Sequence, residues 1–222
     1  TYPEEAATKE KVGDTFSVNV ERIIELEAEL VVVTGSFATD AVSALAGANI
    51  PVLNLEFGKI DDVYTGIQLL GRFCNLSEAA DELAESLKSD LAALEKAVAG
   101  TEKRKVFIDL GDLYSSSKMD FLGNLFEKIN AENIAYDFDY SSPQLSAESV
   151  IEKNPDVYIC LSSEASFTKP AGFDEINAFK NNEVFFVDYA DPRCDQITRP
   201  GPRFVEGLKI LAKMVHPELE LD

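Results

Sequence analysis

The chain has 222 residues, of which 45% are apolar and 27% are charged, and its formal net charge at pH 7 is −20. This length suffices for one large domain or for two modest lobes, each with a core of its own. A surface this acidic repels phosphate backbones, so we expect no nucleic-acid partner. No apolar run approaches the ~20 residues that a membrane-spanning helix needs. The acidity favours either simple solubility or docking onto a basic partner.

Motifs of the common enzyme classes are missing from the sequence. There is no GxGxxG after a strand, no GxxxxGK[ST], no GxSxG and no HExxH. The cysteines, Cys74, Cys160 and Cys194, have no CxxC spacing, and the single histidine, His216, cannot supply the several ligands that a receptor for bare zinc or manganese ions uses. We therefore predict a protein that is not an enzyme, with no intrinsic cofactor and no metal site of its own.

One pattern occurs twice, 127 residues apart: residues 19–36 (NVERIIELEAELVVVTGS) align without a gap to residues 146–163 (SAESVIEKNPDVYICLSS). Each copy has a helix-capping residue followed two positions later by a glutamate: Asn19 with Glu21, and Ser146 with Glu148. A cap, an acidic first turn, an apolar stripe and a short apolar run predict a helix followed by a strand. Two copies this far apart predict two similar α/β lobes, and clefts between lobes bind small molecules.

The remaining elements follow in chain order. Strands at 30–34 and 51–55 alternate with helices at 38–47 and 61–73, and this βαβα order predicts a parallel sheet. A helix from Ser77, its predicted cap, to Ala99 would span roughly 33 Å. Beyond it we predict strands at 105–110 and 184–188 and helices at 119–130, 173–179 and 203–215. We predict an α/β protein with an N-terminal lobe at 1–76, a connecting helix at 77–100 and a C-terminal lobe at 101–222.

Several segments, taken in order, resemble the iron-siderophore and cobalamin class of ABC-transporter substrate-binding proteins. They are VGDTFSVNVERIIELEAELVVV, IPVLNLE, KVFIDL, NAENIAYD, LSAESVIEKNPDVYIC, AFKNNEVFFVD and RPGPRFVEGLKILAKMVHPE. The most specific features are N-x-E-R-I before a strand, P-D-V before a strand and G-P-R before the last helix. The resemblance covers residues 11–218.

This resemblance implies two Rossmann-like lobes joined by one long backbone helix. Members usually carry a further strand–helix–strand unit ahead of the stretch that begins here near Tyr2. We therefore expect the first lobe to be truncated at its N-terminus, with an open sheet edge available for oligomer formation.

The resemblance also implies a function: capture of a ferric siderophore or related metal chelate and its delivery to an ABC permease in the membrane. The alternatives are a cobalamin or haem receptor of the same fold, or a signalling or scaffold module without a role in transport. The implied location is extracytoplasmic, in the periplasm or on the cell surface as a lipoprotein, and no signal sequence is visible in the chain.

Candidate ligand-binding residues lie in the loops after the strands, where open α/β sheets bind ligands. These loops are 35–37, 56–58, 112–118, 162–169 and 189–199. Aromatic rings pack on an organic shell and guanidinium groups contact its oxygens, so Tyr114, Tyr189 and Arg193 are the main candidates, with Ser36 and Phe37 beside them. Each could instead be a solvated loop residue. If the ligand is haem, Tyr114 or Tyr189 is a candidate iron ligand.

Glu21 and Glu148 are the candidate docking residues. The resemblance implies that each lobe presents one glutamate to an arginine pocket on the permease, through directional carboxylate–guanidinium pairs. The alternative is that both glutamates only stabilise the first turn of a helix.

Overall fold

A computed structural model of the chain describes residues 2–14, 17–34 and 39–221. Contacts group the chain into two compact units, Thr1–Phe57 and Gly58–Asp222. In both units strands alternate with helices, and every strand pairing among the described residues is parallel. The predicted α/β fold with parallel sheets is thereby confirmed.

The first unit holds a two-stranded sheet. After a 3-10 helix at Glu4–Thr8, its elements are α1 (Val20–Glu25), β1 (Val31–Thr34), α2 (Thr39–Gly47) and β2 (Val52–Leu55). Strand β1 pairs with β2 from Val31 opposite Val52 onward. Among the described residues of this unit, the buried apolar side chains are Ile23 of α1, Leu45 of α2 and Leu55 of β2.

The second unit contains four strands and seven α-helices among the residues described. They are α3 (Ile60–Phe73), α4 (Ser77–Val98), β3 (Arg104–Asp109), α5 (Phe121–Lys128), β4 (Ala131–Asn133), α6 (Ala147–Lys153), β5 (Val157–Cys160), α7 (Asn177–Lys180), β6 (Val184–Phe186), α8 (Pro192–Thr198) and α9 (Phe204–Val215). A 3-10 helix at Phe173–Glu175 precedes α7. The strand order is β4-β3-β5-β6.

The carboxyl ends of three neighbouring strands meet at one edge of this sheet. Strand β3 ends at Asp109, β5 at Cys160 and β6 at Phe186, with Asp109 opposite Cys160 and Cys160 opposite Phe186. The last four residues of β3 and all of β5 are buried. The loops that leave these ends therefore start from fixed positions, which is the setting in which open α/β sheets place their ligand sites.

The long helix α4 has 22 residues and packs against α3, α5 and α9 of its own unit. Contacts also group α3 with this unit, whereas the sequence places it in the N-terminal lobe. Leu76, and not Ser77, is the N-cap residue of α4, and it makes no side-chain cap hydrogen bond. The role of α4 as a connector between lobes, and the lobe boundaries, remain predictions.

Three parts of the second unit differ from the sequence prediction. The segment 189–199, predicted to be a loop, contains α8, because the Asp191 carboxylate caps the helix by accepting from the Arg193 amide at 2.9 Å and Pro192 occupies the first turn. Strand β4, with only three residues, was not predicted at all. The predicted helix at 173–179 is split between the 3-10 helix and α7.

Candidate functional site

A buried carboxylate stands at the carboxyl end of β3. Asp109 is 3% exposed, and its Oδ1 accepts from the backbone amides of Gly111 at 2.9 Å and Leu113 at 3.1 Å. Its Oδ2 accepts from the Tyr158 hydroxyl at 2.5 Å. A buried charge needs such donors to offset the hydration that it loses. Asp109 therefore fixes the start of the loop that follows β3 to the neighbouring strand β5.

The loop held by Asp109 has an unusual backbone. Gly111, Asp112 and Leu113 follow one another with φ values of +113°, +51° and +62°. The left-handed region costs a residue with a side chain about 1–2 kcal/mol, and such strain collects at functional sites. The two amide hydrogen bonds to Asp109 help to hold this conformation, together with bonds that the Gly111 and Leu113 carbonyl oxygens accept from the amides of Tyr114 and Leu145.

The titratable groups around Asp109 stay protonated at neutral pH. Burial, reinforced by the negative charge of Asp109, raises the pKa of the Tyr158 hydroxyl far above its ordinary value. Burial also raises the pKa of the Cys160 thiol to about 11, although a hydrogen bond with Ser162 acts in the opposite direction. Tyr158 therefore serves as a hydrogen-bond donor, and Cys160 is not a nucleophile at physiological pH.

A cavity of about 430 Å³ opens beside Asp109. Its walls come from the 109–113 segment, from Cys160 and from the loop at 162–170, including Ser162, Ser166 and Phe167. This volume lies in the range of small-molecule sites. The cavity offers hydroxyl groups and one aromatic ring to a ligand group that enters it.

Two of the predicted site residues meet at Leu110, directly after β3. The Tyr189 hydroxyl donates to the Leu110 carbonyl oxygen at 2.9 Å, and the Leu110 amide donates to the Tyr114 carbonyl oxygen at 2.7 Å. The side chains of Tyr189 and Tyr114 remain 65% and 44% exposed. The structure thus places both exposed tyrosines beside Leu110, at the same end of the sheet.

The third main candidate, Arg193, is bound within the protein. Its Nε and Nη2 donate to the Asp191 carboxylate, the shortest distance being 2.6 Å between Nη2 and Oδ2. This pairing raises the pKa of Arg193 and holds the pKa of Asp191 below its ordinary value. A ligand oxygen would have to share the Arg193 guanidinium with Asp191 or displace Asp191 from it. Ser36 and Phe37, the other two candidates, lie outside the described residues.

The candidate docking glutamates occupy equivalent positions in the two copies of the repeat. Glu21 and Glu148 are each the second residue of a capped helix, α1 or α6, and both are exposed. Asn19 accepts from the Arg22 amide at 2.9 Å and Ser146 from the Ser149 amide at 3.2 Å. Hydrogen bonds from its own backbone amide and from the Ser146 hydroxyl hold the pKa of Glu148 below its ordinary value.

Within the described ranges, no group of three or more His, Cys, Asp or Glu residues is arranged to hold a metal ion. His216 is 1% exposed, and its Nε2 donates to the Ile129 carbonyl oxygen at 2.8 Å, which is a structural role. None of the helices described here is sufficiently long and apolar to cross a membrane.

Sequence reasoning did not single out Asp109, although two of the loops that it named, 112–118 and 162–169, contribute walls to the cavity beside it. The available signal was an acidic residue directly after the apolar run of β3, because a carboxylate at the carboxyl end of a buried parallel strand faces the loop edge. The size of the cavity could not be found in this way, because it depends on how two segments some fifty residues apart, 109–113 and 160–170, pack together.

Comparison with known proteins identifies the family. Residues 1–190 match the family model described as periplasmic binding protein. The ABC transporter substrate-binding lipoprotein YvrC of Bacillus subtilis is 34% identical over 98% of this chain and 71% of its own length. A vitamin B12-binding protein of Salmonella paratyphi A is 29% identical over 95% of this chain and 77% of its own length.

A solved structure shows the same fold. The crystal structure of a possible iron-binding, periplasmic solute-binding protein of Staphylococcus epidermidis superposes with a TM-score of 0.83 at 28% identity. The superposition covers 97% of this chain and 87% of that one. The chain therefore belongs to the periplasmic binding protein family and is the substrate-binding component of an ABC transporter.

Proposed function

We propose that the chain acts outside the cytoplasm, where it captures a metal chelate such as a ferric siderophore and delivers it to a permease in the membrane. It does not catalyse a reaction. The supporting observation is the end of the second unit's sheet, where a cavity of about 430 Å³ opens and two exposed tyrosines, Tyr114 and Tyr189, are both hydrogen-bonded to Leu110. Aromatic faces and a hydroxyl-lined cavity suit the organic shell of a chelate.

The chemistry of the site supports binding and not catalysis. The Tyr158 hydroxyl and the Cys160 thiol stay protonated, and Asp109 already accepts from three donors. A general base or nucleophile needs an available lone pair near neutral pH. These groups therefore support the structure of the site, and the ligand is released without chemical change.

Cobalamin is the second candidate ligand, and the 29% identity to a vitamin B12-binding protein favours it. Cobalamin presents an apolar macrocycle with amide arms, which matches a surface of exposed rings beside a cavity that contains the hydroxyls of Ser162 and Ser166. Haem, with Tyr114 or Tyr189 as an iron ligand, is the third candidate.

The partner that we propose is the permease of the same importer. Glu21 and Glu148 are exposed in the two units and would each pair with an arginine of the permease. The similarity to a substrate-binding lipoprotein supports an extracytoplasmic location for this encounter.

Calorimetric titration of the chain with ferrioxamine B, cyanocobalamin and hemin tests the ligand class. We expect saturable binding of one chelate per chain, weakened about tenfold by Tyr189→Ala because a ring contact is lost. The matched control is Phe73→Ala, which removes another exposed ring of the second unit, at the end of α3. Failure of all three chelates to bind would contradict the proposed function.

A further inference from the structure

Large exposed apolar side chains in the described part of the second unit form two groups. Three belong to α3, α4 and the turn between them: Phe73, Leu76 and Leu83. The other four lie on segments that follow β3, β4 and β6: Tyr114, Met119, Tyr140 and Tyr189. Exposed apolar side chains that collect in one region mark binding surfaces.

Tyr114, Met119 and Tyr140, which we call the apolar ledge, are carried by two segments that run side by side. The Leu145 amide donates to the Leu113 carbonyl oxygen at 3.0 Å, and the Ser115 amide donates to the Pro143 carbonyl oxygen at 2.8 Å. These bonds join the segment after β3 to the segment after β4. The backbone that carries the ledge therefore runs from Tyr114, whose carbonyl oxygen accepts from the Leu110 amide, to Tyr140 on the adjoining segment.

Buried hydrogen bonds hold the backbone of the ledge in place. Ser117 is fully buried, and its hydroxyl donates to the Tyr140 carbonyl oxygen at 2.8 Å and accepts from the Met119 amide at 3.1 Å. The Asp120 carboxylate accepts from the amides of Ser117 at 2.9 Å and Ser142 at 3.0 Å. Met119 and Tyr140, which are 52% and 55% exposed, are thus presented to solvent by a fixed backbone.

Four cationic side chains of the described segments that follow β3, β5 and β6 already have a carboxylate partner. They are Lys118 with Asp139, Lys169 with Asp174, Arg193 with Asp191 and Arg199 with Asp195. Two acidic residues, Asp109 and Asp112, are among the residues that line the cavity. A polyanionic ligand would therefore meet carboxylates and paired cations on a chain of net charge −20.

We propose that the site selects a chelate without net negative charge, whose apolar face contacts the apolar ledge and whose polar arms enter the cavity beside Asp109. Ser162, Ser166 and Thr168 line that cavity and can hydrogen-bond neutral amide or hydroxyl groups. This inference rests on the proposed function and adds to it the charge of the ligand and two contact residues, Met119 and Tyr140.

Two probes of different charge test the inference. Cyanocobalamin has no net charge and carries amide arms, whereas a ferric tris-catecholate carries three negative charges. We expect the wild-type chain to bind cyanocobalamin at least about tenfold more tightly. The pair Met119→Ala and Tyr140→Ala should weaken cyanocobalamin binding about tenfold, while the control pair Phe73→Ala and Leu76→Ala should not. Urea unfolding of both double variants establishes that they are folded.

The variant Asp191→Asn tests the role of charge directly. Asparagine caps a helix as well as aspartate does, so α8 is retained while Arg193 loses its counter-charge. We expect the ratio of the affinity for cyanocobalamin to the affinity for the tris-catecholate to fall several-fold in this variant. Two results would overturn this inference and leave the proposed function standing. One is that the wild type binds the tris-catecholate more tightly than cyanocobalamin, and the other is that the double variant of Met119 and Tyr140 binds cyanocobalamin as tightly as the wild type. A wild type that binds no chelate at all overturns it together with the proposed function.

Discussion

At the scale of single residues, Asp109 organises the candidate site. One carboxylate holds two amides of a left-handed loop and the hydroxyl of Tyr158 on the next strand. The sequence shows Asp109 only as an acidic residue within the predicted strand at 105–110. Its partners could not be read from periodicity, because Tyr158 is 49 residues away and is brought near only by the pairing of β3 with β5.

We predict that removing Asp109 and removing its partner, the Tyr158 hydroxyl, lower the free energy of unfolding by unequal amounts. Asp109→Ala leaves a buried hydroxyl and two amides without their acceptor, so the free energy of unfolding should fall by about 3 kcal/mol. Tyr158→Phe removes one donor and leaves Asp109 its two amides, so the loss should be about 1 kcal/mol. Urea unfolding followed by circular dichroism measures both losses. Equal losses would mean that Asp109 does not organise the loop.

The three cysteines should differ sharply in reactivity. Cys74 is exposed, whereas Cys160 and Cys194 are buried. Burial raises the pKa of both buried thiols, that of Cys160 to about 11, so little thiolate is present at pH 8. A colorimetric thiol reagent should therefore label one cysteine per native chain rapidly.

Denaturation in urea supplies the control for this labelling. All three cysteines should then react, since each thiol reaches solvent with its ordinary pKa near 8.5. The variant Cys74→Ser should show no rapid phase in the native state. Rapid labelling of a second cysteine in the folded wild type would contradict the burial of Cys160 and Cys194.

At the scale of elements, the sequence predicted most helices and strands because their caps and apolar spacing are local. Helix α4 begins at Ser77, as predicted, and ends at Val98, one residue before the predicted end. Helix α8 was missed because its start signal, Asp191 followed by Pro192, lies in a segment interpreted as a ligand-binding loop. Strand β4 has three residues and exists through its pairing with β3, which no local pattern indicates.

Helix α5 depends on a close approach that only glycine permits. A Cβ atom at Gly123 would lie 1.9 Å from the Ser117 carbonyl oxygen, so Gly123→Ala must displace α5 from the backbone that carries the apolar ledge. We expect a loss of about 2 kcal/mol in the free energy of unfolding, from overpacking. Thermal and urea unfolding measure it.

The control for this substitution is Gly100→Ala. A Cβ atom at Gly100 meets no atom within 4 Å, so its stability should change by less than about 0.5 kcal/mol. Chelate binding should also fall in Gly123→Ala and not in Gly100→Ala, since only the first moves the ledge. Equal stability of the two variants would show that α5 does not pack as described.

At the scale of the whole molecule, the sequence was sufficient for the α/β class and the family but not for the ligand. Fold class depends on the order of elements, which is written along the chain. Ligand choice depends on which charges remain unpaired, and Arg193, a predicted ligand contact, forms an ion pair with Asp191. Such pairing is decided by side-chain geometry, which composition and spacing do not contain.

The repeated glutamates give the last prediction, which concerns the whole transport complex. The double variant Glu21→Ala and Glu148→Ala should bind its chelate like the wild type but fail to support uptake by cells that express the permease, because both carboxylates are exposed outside the cavity. Glu78→Ala is the matched control, since Glu78 is also an exposed glutamate in the first turn of a helix, α4.

This comparison separates docking from helix stabilisation, because all three glutamates interact with a helix dipole but only the repeated pair would meet arginines of the permease. Added salt should weaken the complex of the wild type with the permease, since exposed ion pairs are screened over about 8–10 Å. The double variant should respond little to salt, having lost those pairs. Uptake that is unchanged in the double variant would favour a signalling or scaffold role that needs neither glutamate.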